Sequence, residues 1–177
     1  SLLRNQQRND AKHQHVTVKA TFGCSSLDEL DVREEAALLR RVQGHANVLH
    51  LIGVFHCPAS VWLQPHGNLI ICTEICEGGD IFTLVERVGA QGHDMALRIV
   101  EGLLLALAHI HSCRIVHRDV KSRNVLLASE QRPVLTDFGL ACHLKDRRRM
   151  RMRCGTKGWI APEVASGMPY GLNVDVF

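Results

Sequence analysis

Apolar and polar positions change rhythm along the 177-residue chain, and those changes outline its elements. Residues 14–20 (QHVTVKA) set β-branched side chains around a lysine, which predicts a strand. Residues 26–42 predict a helix: Ser25 or Ser26 offers a cap, acids crowd the first turns, and Leu30, Leu38, Leu39 and Val42 give it an inward side. Leu51–Phe55 and Leu69–Thr73 are apolar runs of strand length, separated by a polar loop with Pro58, Pro65 and Gly67. After Gly78-Gly79 the pattern turns helical over 80–88 and 94–111, the second stretch with Leu97, Val100, Leu104, Leu107 and Ile110 at helical spacing. A strand-rich front joined to a helix-rich back by EICEGG predicts two lobes and a hinge, and clefts between lobes are where small ligands bind.

Composition narrows the class without naming a chemistry. Hydrophobic residues make up 46% and charged residues 22%, the balance of an ordinary globular domain. No apolar run approaches the roughly 20 residues that cross a bilayer. The longest candidate, Ile99 to Ile110, is interrupted by Glu101, Gly102 and His109. Ser1 to Asp10 are polar with two arginines, unlike a signal peptide, so the expected location is cytoplasmic, with the nucleus as the other option. Seven cysteines, at 24, 57, 72, 76, 113, 142 and 154, form no C-x-x-C pair and are odd in number, which favours reduced thiols over a disulfide framework. Eleven histidines show no zinc spacing.

The net charge of +3 is unevenly spread. From Lys145 to Lys157 there are five Arg, two Lys and one Asp, a local +6, so the rest of the chain sums to −3. One basic segment differs from the general basic character of a nucleic-acid-binding domain.

Four motifs carry chemistry. They are Val16-Thr17-Val18-Lys19, the octapeptide His117-Arg118-Asp119-Val120-Lys121-Ser122-Arg123-Asn124, then Asp137-Phe138-Gly139, and Ala161-Pro162-Glu163. A lone tripeptide of this kind is more often chance than signal, and a lone strand lysine is usually just solvated. In this order and at these distances they resemble the catalytic domain of protein kinases from about residue 14 to residue 177.

The resemblance implies an α+β, two-lobed protein kinase-like fold. Its small β-rich N-lobe with one helix would span 1–73, its hinge 74–79 and its larger helical C-lobe 80–177. It also implies ATP and Mg²⁺ as cofactors, with Asn124 and Asp137 as hard oxygen ligands for the cation. Asp119 would orient the attacking hydroxyl and accept its proton, and Lys121 would meet the transferred phosphate. Lysine at that place resembles serine/threonine kinases. Lys19 would clamp the α- and β-phosphates with a helical glutamate as partner; Glu34 and Glu35 both qualify by charge, and family spacing favours Glu35. Thr73 matches the gatekeeper, Glu74 to Cys76 the adenine-binding hinge, Asp80 a ribose contact and Leu126 the floor beneath adenine. Leu39, Leu51, His117 and Phe138 match the stacked regulatory spine, anchored by Asp175. The alternative is a kinase-fold scaffold, or pseudokinase, that binds partners without turnover.

Departures from the family pattern add further expectations. The Gly-rich loop would precede Ser1 and the later C-lobe helices would follow Phe177, so the domain is expected to be truncated at both ends and poorly soluble alone. Thr17 stands where a small alanine usually roofs adenine, which predicts weaker ATP binding, and Trp159 stands where Tyr or Phe is commoner. Between Asp137 and Gly155 there is no Ser, Thr or Tyr, so activation by a phosphate in that stretch is not expected. Thr156 is expected instead to contact Asp119 and Lys121. The run Arg147 to Arg153 leaves three readings open: a solvated mobile loop, attraction of an acidic or already phosphorylated protein substrate, or, least favoured, nucleic acid.

Overall fold

The computed structural model describes residues 16–20, 26–57, 68–128 and 131–177; predicted strand residues 14 and 15, the Ser25 cap and the loop with Pro58, Pro65 and Gly67 lie outside them. Strands β1 (Val16–Ala20), β2 (Leu51–Cys57) and β3 (Asn68–Glu74) form one antiparallel sheet in the order β1–β3–β2. Helix α1 (Ser26–Arg41) packs on it through Val32 and Ala36 against Leu69 and Ile71. The second half holds α2 (Ile81–Val88), α3 (His93–Ser112) and two small hairpin-like pairings. In one, β4 (Ile115–Val116) pairs with β7 (Cys142–His143); in the other, β5 (Val125–Leu127) pairs with β6 (Pro133–Leu135). Short α4 (Pro162–Ala165) and 3₁₀ turns over Ser122–Asn124, Arg149–Arg151 and Leu172–Val176 complete it.

The inward face of α1 differs from the expected one at its start. Leu30 is 56% exposed, and Val32, Glu35, Ala36, Leu39 and Val42 are buried instead. These sit at i, i+3, i+4, i+7 and i+10, one side of a 3.6-residue helix. Glu35 belongs to that side; Glu34, about 100° round the axis, does not.

The predicted apolar stripe of α3 is also corrected. Leu97, Val100 and Leu104 are each at least 50% exposed, whereas Gly102, Ala106, Leu107 and Ile110 are buried. The helix is apolar nearly all round, so packing decides which side turns inward, and the small residues let it approach closely. A Cβ on Gly102 would collide with the Pro133 ring and lie 2.7 Å from Asn47 Nδ2. By length and composition this 20-residue helix is long and apolar enough to cross a membrane, contrary to the expectation from the interrupted run. One side of it packs into the core, with His109 Nε2 2.9 Å from the Val42 carbonyl oxygen and Ala106, Leu107 and Ile110 in the main cluster.

Gly102→Ala is expected to destabilise the fold by about 1–3 kcal/mol through overpacking, although alanine is the better helix former by about 1 kcal/mol. Urea unfolding measures this, and unchanged or raised stability would refute the close approach.

The two halves are stitched by Asn47, whose amide donates to Pro133 O (2.8 Å) and whose carbonyl accepts from Leu135 N (2.8 Å). The chain crosses between them at Gly78, whose N–H donates to Leu127 O (2.9 Å) and whose Cβ, if present, would lie 2.6 Å from Leu127 Cβ. Only glycine fits there.

Candidate active site

Strand β1 alternates sides, so Thr17 and Lys19 share the face that lines a cavity of about 260 Å³ between the sheet and the β5–β6 pair. Its walls include Leu39, Ile71 and Thr73 from above and Leu126, Thr136 and Asp137 from below. Lys19 Nζ lies 2.8 Å from both Glu35 oxygens and 3.5 Å from Asp137 Oδ1. Burial alone would lower the Lys19 pKa, but the Glu35 and Asp137 carboxylates outweigh it and the net direction is up. Glu34 points to the other side, where its Oε2 meets Arg149 Nη2 at 2.5 Å.

Below the cavity, residues 117–124 fold into a knot of hydrogen bonds. Asp119 Oδ2 accepts from Lys121 Nζ (2.6 Å) and Asn124 Nδ2 (3.0 Å), and its Oδ1 accepts from Thr156 N (3.0 Å) and Oγ1 (2.7 Å). Lys121 Nζ also donates to Thr156 Oγ1 (2.6 Å). Burial pushes the Asp119 pKa up, but donors from Lys121, Thr156 and Asn124 prevail and hold it below the ordinary aspartate value. Asn124 uses its amide nitrogen on Asp119, so its carbonyl oxygen is the atom left for a ligand. Thr136 N and Oγ1 both donate to Asn124 O (2.9 and 3.1 Å), which fixes Asn124 against the strand leading into Asp137.

Two non-glycine residues in this region have left-handed backbones, Arg118 (φ 68°) and Asp137 (φ 59°). Such conformations cost of order 1–3 kcal/mol and persist only where surrounding contacts over-determine them. At Arg118 those contacts are clear: Asp175, with a fully buried side chain, accepts from Arg118 N (2.7 Å), His117 N (2.8 Å) and His111 Nε2 (2.8 Å). The His117 ring meets Phe138 edge-on at 5.1 Å, Phe138 and Leu39 share the main core cluster, and Leu51 packs against it.

Not every predicted site residue reaches the cavity. Thr73, Glu74 and Leu126 line it; Cys76 and Asp80 do not. Glu74 also accepts from His50 N through Oε1 and pairs with Arg132 through Oε2. Among the described residues no hydrogen bond engages the Cys76 amide, and burial with the Glu74 charge pushes the Cys76 thiol up to about 11. Asp80 caps α2, accepting from Thr83 N (2.9 Å) and Thr83 Oγ1 (2.8 Å), so its carboxylate has a structural task.

Tyr170 is a positioning residue that the sequence reading overlooked. Its hydroxyl lies 2.8 Å from both Arg149 O and Met152 O and accepts from Arg118 Nη1 (3.2 Å), while Arg118 also donates to Leu140 O and Arg149 O (2.7 Å each). The Arg118 guanidinium and the Tyr170 hydroxyl therefore hold main-chain carbonyls of the segment after Asp137. The only sequence signal was that this is the chain's single tyrosine, five residues before Asp175.

A cleft with a lysine–glutamate clamp on its roof and an Asp–Lys–Asn–Thr network on its floor is the centre of this two-lobed fold. Residues 5–177 match the family described as protein kinase domain, and the chain belongs to that family. It is 43% identical over 113 residues to a "RasGEF domain-containing serine/threonine-protein kinase X" of Dictyostelium discoideum, covering 62% of this chain and 12% of that protein. Over 156 residues it is 32% identical to a "Probable serine/threonine-protein kinase 2" of Plasmodium falciparum, covering 86% and 29%. Over 149 residues it is 33% identical to human "Calcium/calmodulin-dependent protein kinase type 1B", covering 82% and 40%. The chain thus spans less than half the length of each of these relatives.

Proposed function

We propose that this chain is the catalytic core of a serine/threonine protein kinase that transfers the γ-phosphate of ATP, with Mg²⁺, to protein hydroxyls. The observation that carries the reading is the meeting of Lys19, Glu35 and Asp137 across one cleft above the Asp119–Asn124 pair. The donor set suits magnesium: Asp137 is half-exposed with only long contacts to Lys19 and Gly139, and Asn124 keeps a carbonyl oxygen free. Bound there, Mg²⁺ would neutralise charge on the phosphate oxygens.

The remaining tasks fall to the protein. Lys19, held by Glu35, positions phosphates by charge. Asp119 aligns the incoming hydroxyl and takes up its proton. Lys121 places a positive charge beside the transferred group, with Thr156 fixing both. Ile71, Thr73 and Leu126 offer apolar walls for a base, and the unengaged Cys76 amide is a donor at the hinge. Thr17 lines the same cavity, which supports weakened nucleotide affinity. The choice of serine and threonine rests on Lys121 and on the relatives' names. The odd number of cysteines without C-x-x-C spacing is the reason to read the cytoplasm or nucleus as its compartment.

The test is labelled ATP with Mg²⁺ and matched Ser, Thr and Tyr peptides, followed by phosphoamino-acid analysis. Phosphoserine and phosphothreonine are expected. Label confined to phosphotyrosine would overturn the specificity, and transfer no greater than that of Lys19→Met would favour the scaffold.

A further inference from the structure

Most of the charge between Arg147 and Arg153 has no counter-ion among the described residues. Arg149 pairs with Glu34 at 2.5 Å and lies 3.9 Å from Asp31, and Arg153 donates to Ser166 O (3.3 Å). Arg147, Arg148 and Arg151 are exposed, and no ion pair engages them among the described residues. Self-repulsion alone would drive such a run into an open loop, the plainest of the three sequence readings. The structure instead gives it a scaffold. Met150, 5% exposed, is buried in a cluster with Val116, Cys142, Ala161 and Val164. Asp146 Oδ1 accepts from Arg148 N (3.1 Å) and Arg149 N (2.9 Å). Tyr170 N donates to Met150 O (3.1 Å), and the Tyr170 hydroxyl holds the carbonyls of Arg149 and Met152. The backbone beneath these like charges is thus held in place, with the Arg147, Arg148 and Arg151 side chains exposed.

The run also leads directly to the reaction site. Thr156, bonded to Asp119 through both N and Oγ1, is five residues beyond Arg151. Five residues span at most roughly 17 Å, so Arg151 lies within about five residues' length of an extended peptide whose hydroxyl is at Asp119, with Arg148 and Arg147 further out along the same run. Arginine suits a carboxylate or phosphate there because its planar guanidinium forms paired hydrogen bonds with either.

We propose that Arg147, Arg148 and Arg151 form a preorganised cationic platform that selects substrate peptides carrying anionic side chains near the phosphoacceptor. This rests on the kinase reading above. The anion is a carboxylate or a phosphoserine, which share the chemistry. Nucleic acid is disfavoured because the charge outside this one segment sums to −3, and a strand of phosphates needs a longer basic track.

The experiment uses the full chain and three serine peptides that differ only in flanking residues: neutral, glutamate-rich, and with phosphoserine at the glutamate positions. The parent is expected to favour the anionic peptides by about 10-fold in kcat/KM, through KM, and to lose the preference as salt rises. Arg148→Glu/Arg151→Glu should abolish that preference and leave kcat on the neutral peptide unchanged. A larger gain with phosphoserine than with glutamate would identify primed substrates, and equal gains a general acidic preference; both support the platform. Equal kcat/KM on neutral and anionic peptides, or a preference that survives in the variant, overturns it. Fluorescence anisotropy of the labelled glutamate peptide reads the same surface without turnover. If no peptide is phosphorylated, the kinase reading fails, while salt-sensitive binding lost in the variant still supports the platform and its absence refutes it. Anionic vesicles or RNA binding through these arginines, with no binding of the acidic peptide, also refutes it.

Discussion

Asp119→Asn is expected to lower kcat by about 10²–10⁴-fold, the usual contribution of a positioned acid–base group. KM for ATP should change little, because Asp119 does not line the cavity in which Lys19 and Thr73 sit. Its carboxylate is oriented by four donors, and an asparagine at this position keeps the shape but not the charge. Lys121 then lacks its anionic partner at 2.6 Å, and the substrate hydroxyl lacks an acceptor for its proton. Steady-state kinetics on the full chain measures the effect; a fall of less than about 10-fold would mean that the carboxylate only positions its neighbours.

The same donors fix the pH behaviour. The folded pKa of Asp119 is depressed, so its ionised form contributes stability above the unfolded value of about 3.9, and that contribution is lost as pH falls through the lower folded value. An acid limb in kcat between pH 5 and 8 would therefore belong to another group.

What was legible in the sequence follows from how local the determining physics is. Strands β1–β3 and helices α1–α3 have runs long enough to carry a period, and each was found within a residue or two. Strands β4 to β7 are two or three residues long, show no period, and exist only because distant backbone groups meet. The inward sides of α1 and α3 were partly misread because both helices carry apolar residues on more than one side. Val32 and Gly102 face inward because of what lies opposite them, which spacing does not record.

The site divides along a similar line. The side chains proposed to act by their own chemistry (Lys19, Asp119, Asn124, Asp137) stand out as residue types in a fixed order. Choosing Glu35 over Glu34 rested on the spacing of the resemblance, and in the structure Lys19 meets Glu35 while Glu34 meets Arg149. Tyr170 and Arg118 hold mainly main-chain carbonyls, which no sequence position marks. Asp80 shows the converse: the Asp-x-x-Thr pattern of a helix cap was present at 80–83, but the resemblance directed it to a ligand.

Asp175→Ala is expected to cost about 2–6 kcal/mol of folding stability, the sum for two buried main-chain donors left without an acceptor. The carboxylate is fully buried and accepts from two main-chain amides and a histidine ring. An alanine there leaves the His117 and Arg118 N–H groups without acceptors, at about 1–3 kcal/mol for each donor stranded away from water. For a domain whose total stability is of order 5–15 kcal/mol, such a loss brings it near unfolding at moderate temperature. Activity should fail earlier than the fold. The left-handed backbone at Arg118 is held by this carboxylate, and the next residue is Asp119, so relaxation at Arg118 misdirects the group proposed to receive the hydroxyl proton. Asp175→Asn separates the two effects, since its side-chain carbonyl still accepts from one amide and stability should fall less than with alanine. Urea unfolding alongside kcat for both variants provides the measure. An alanine variant within about 0.5 kcal/mol of the parent would show that water or a shifted backbone satisfies those amides, and that Asp175 does not hold the catalytic loop.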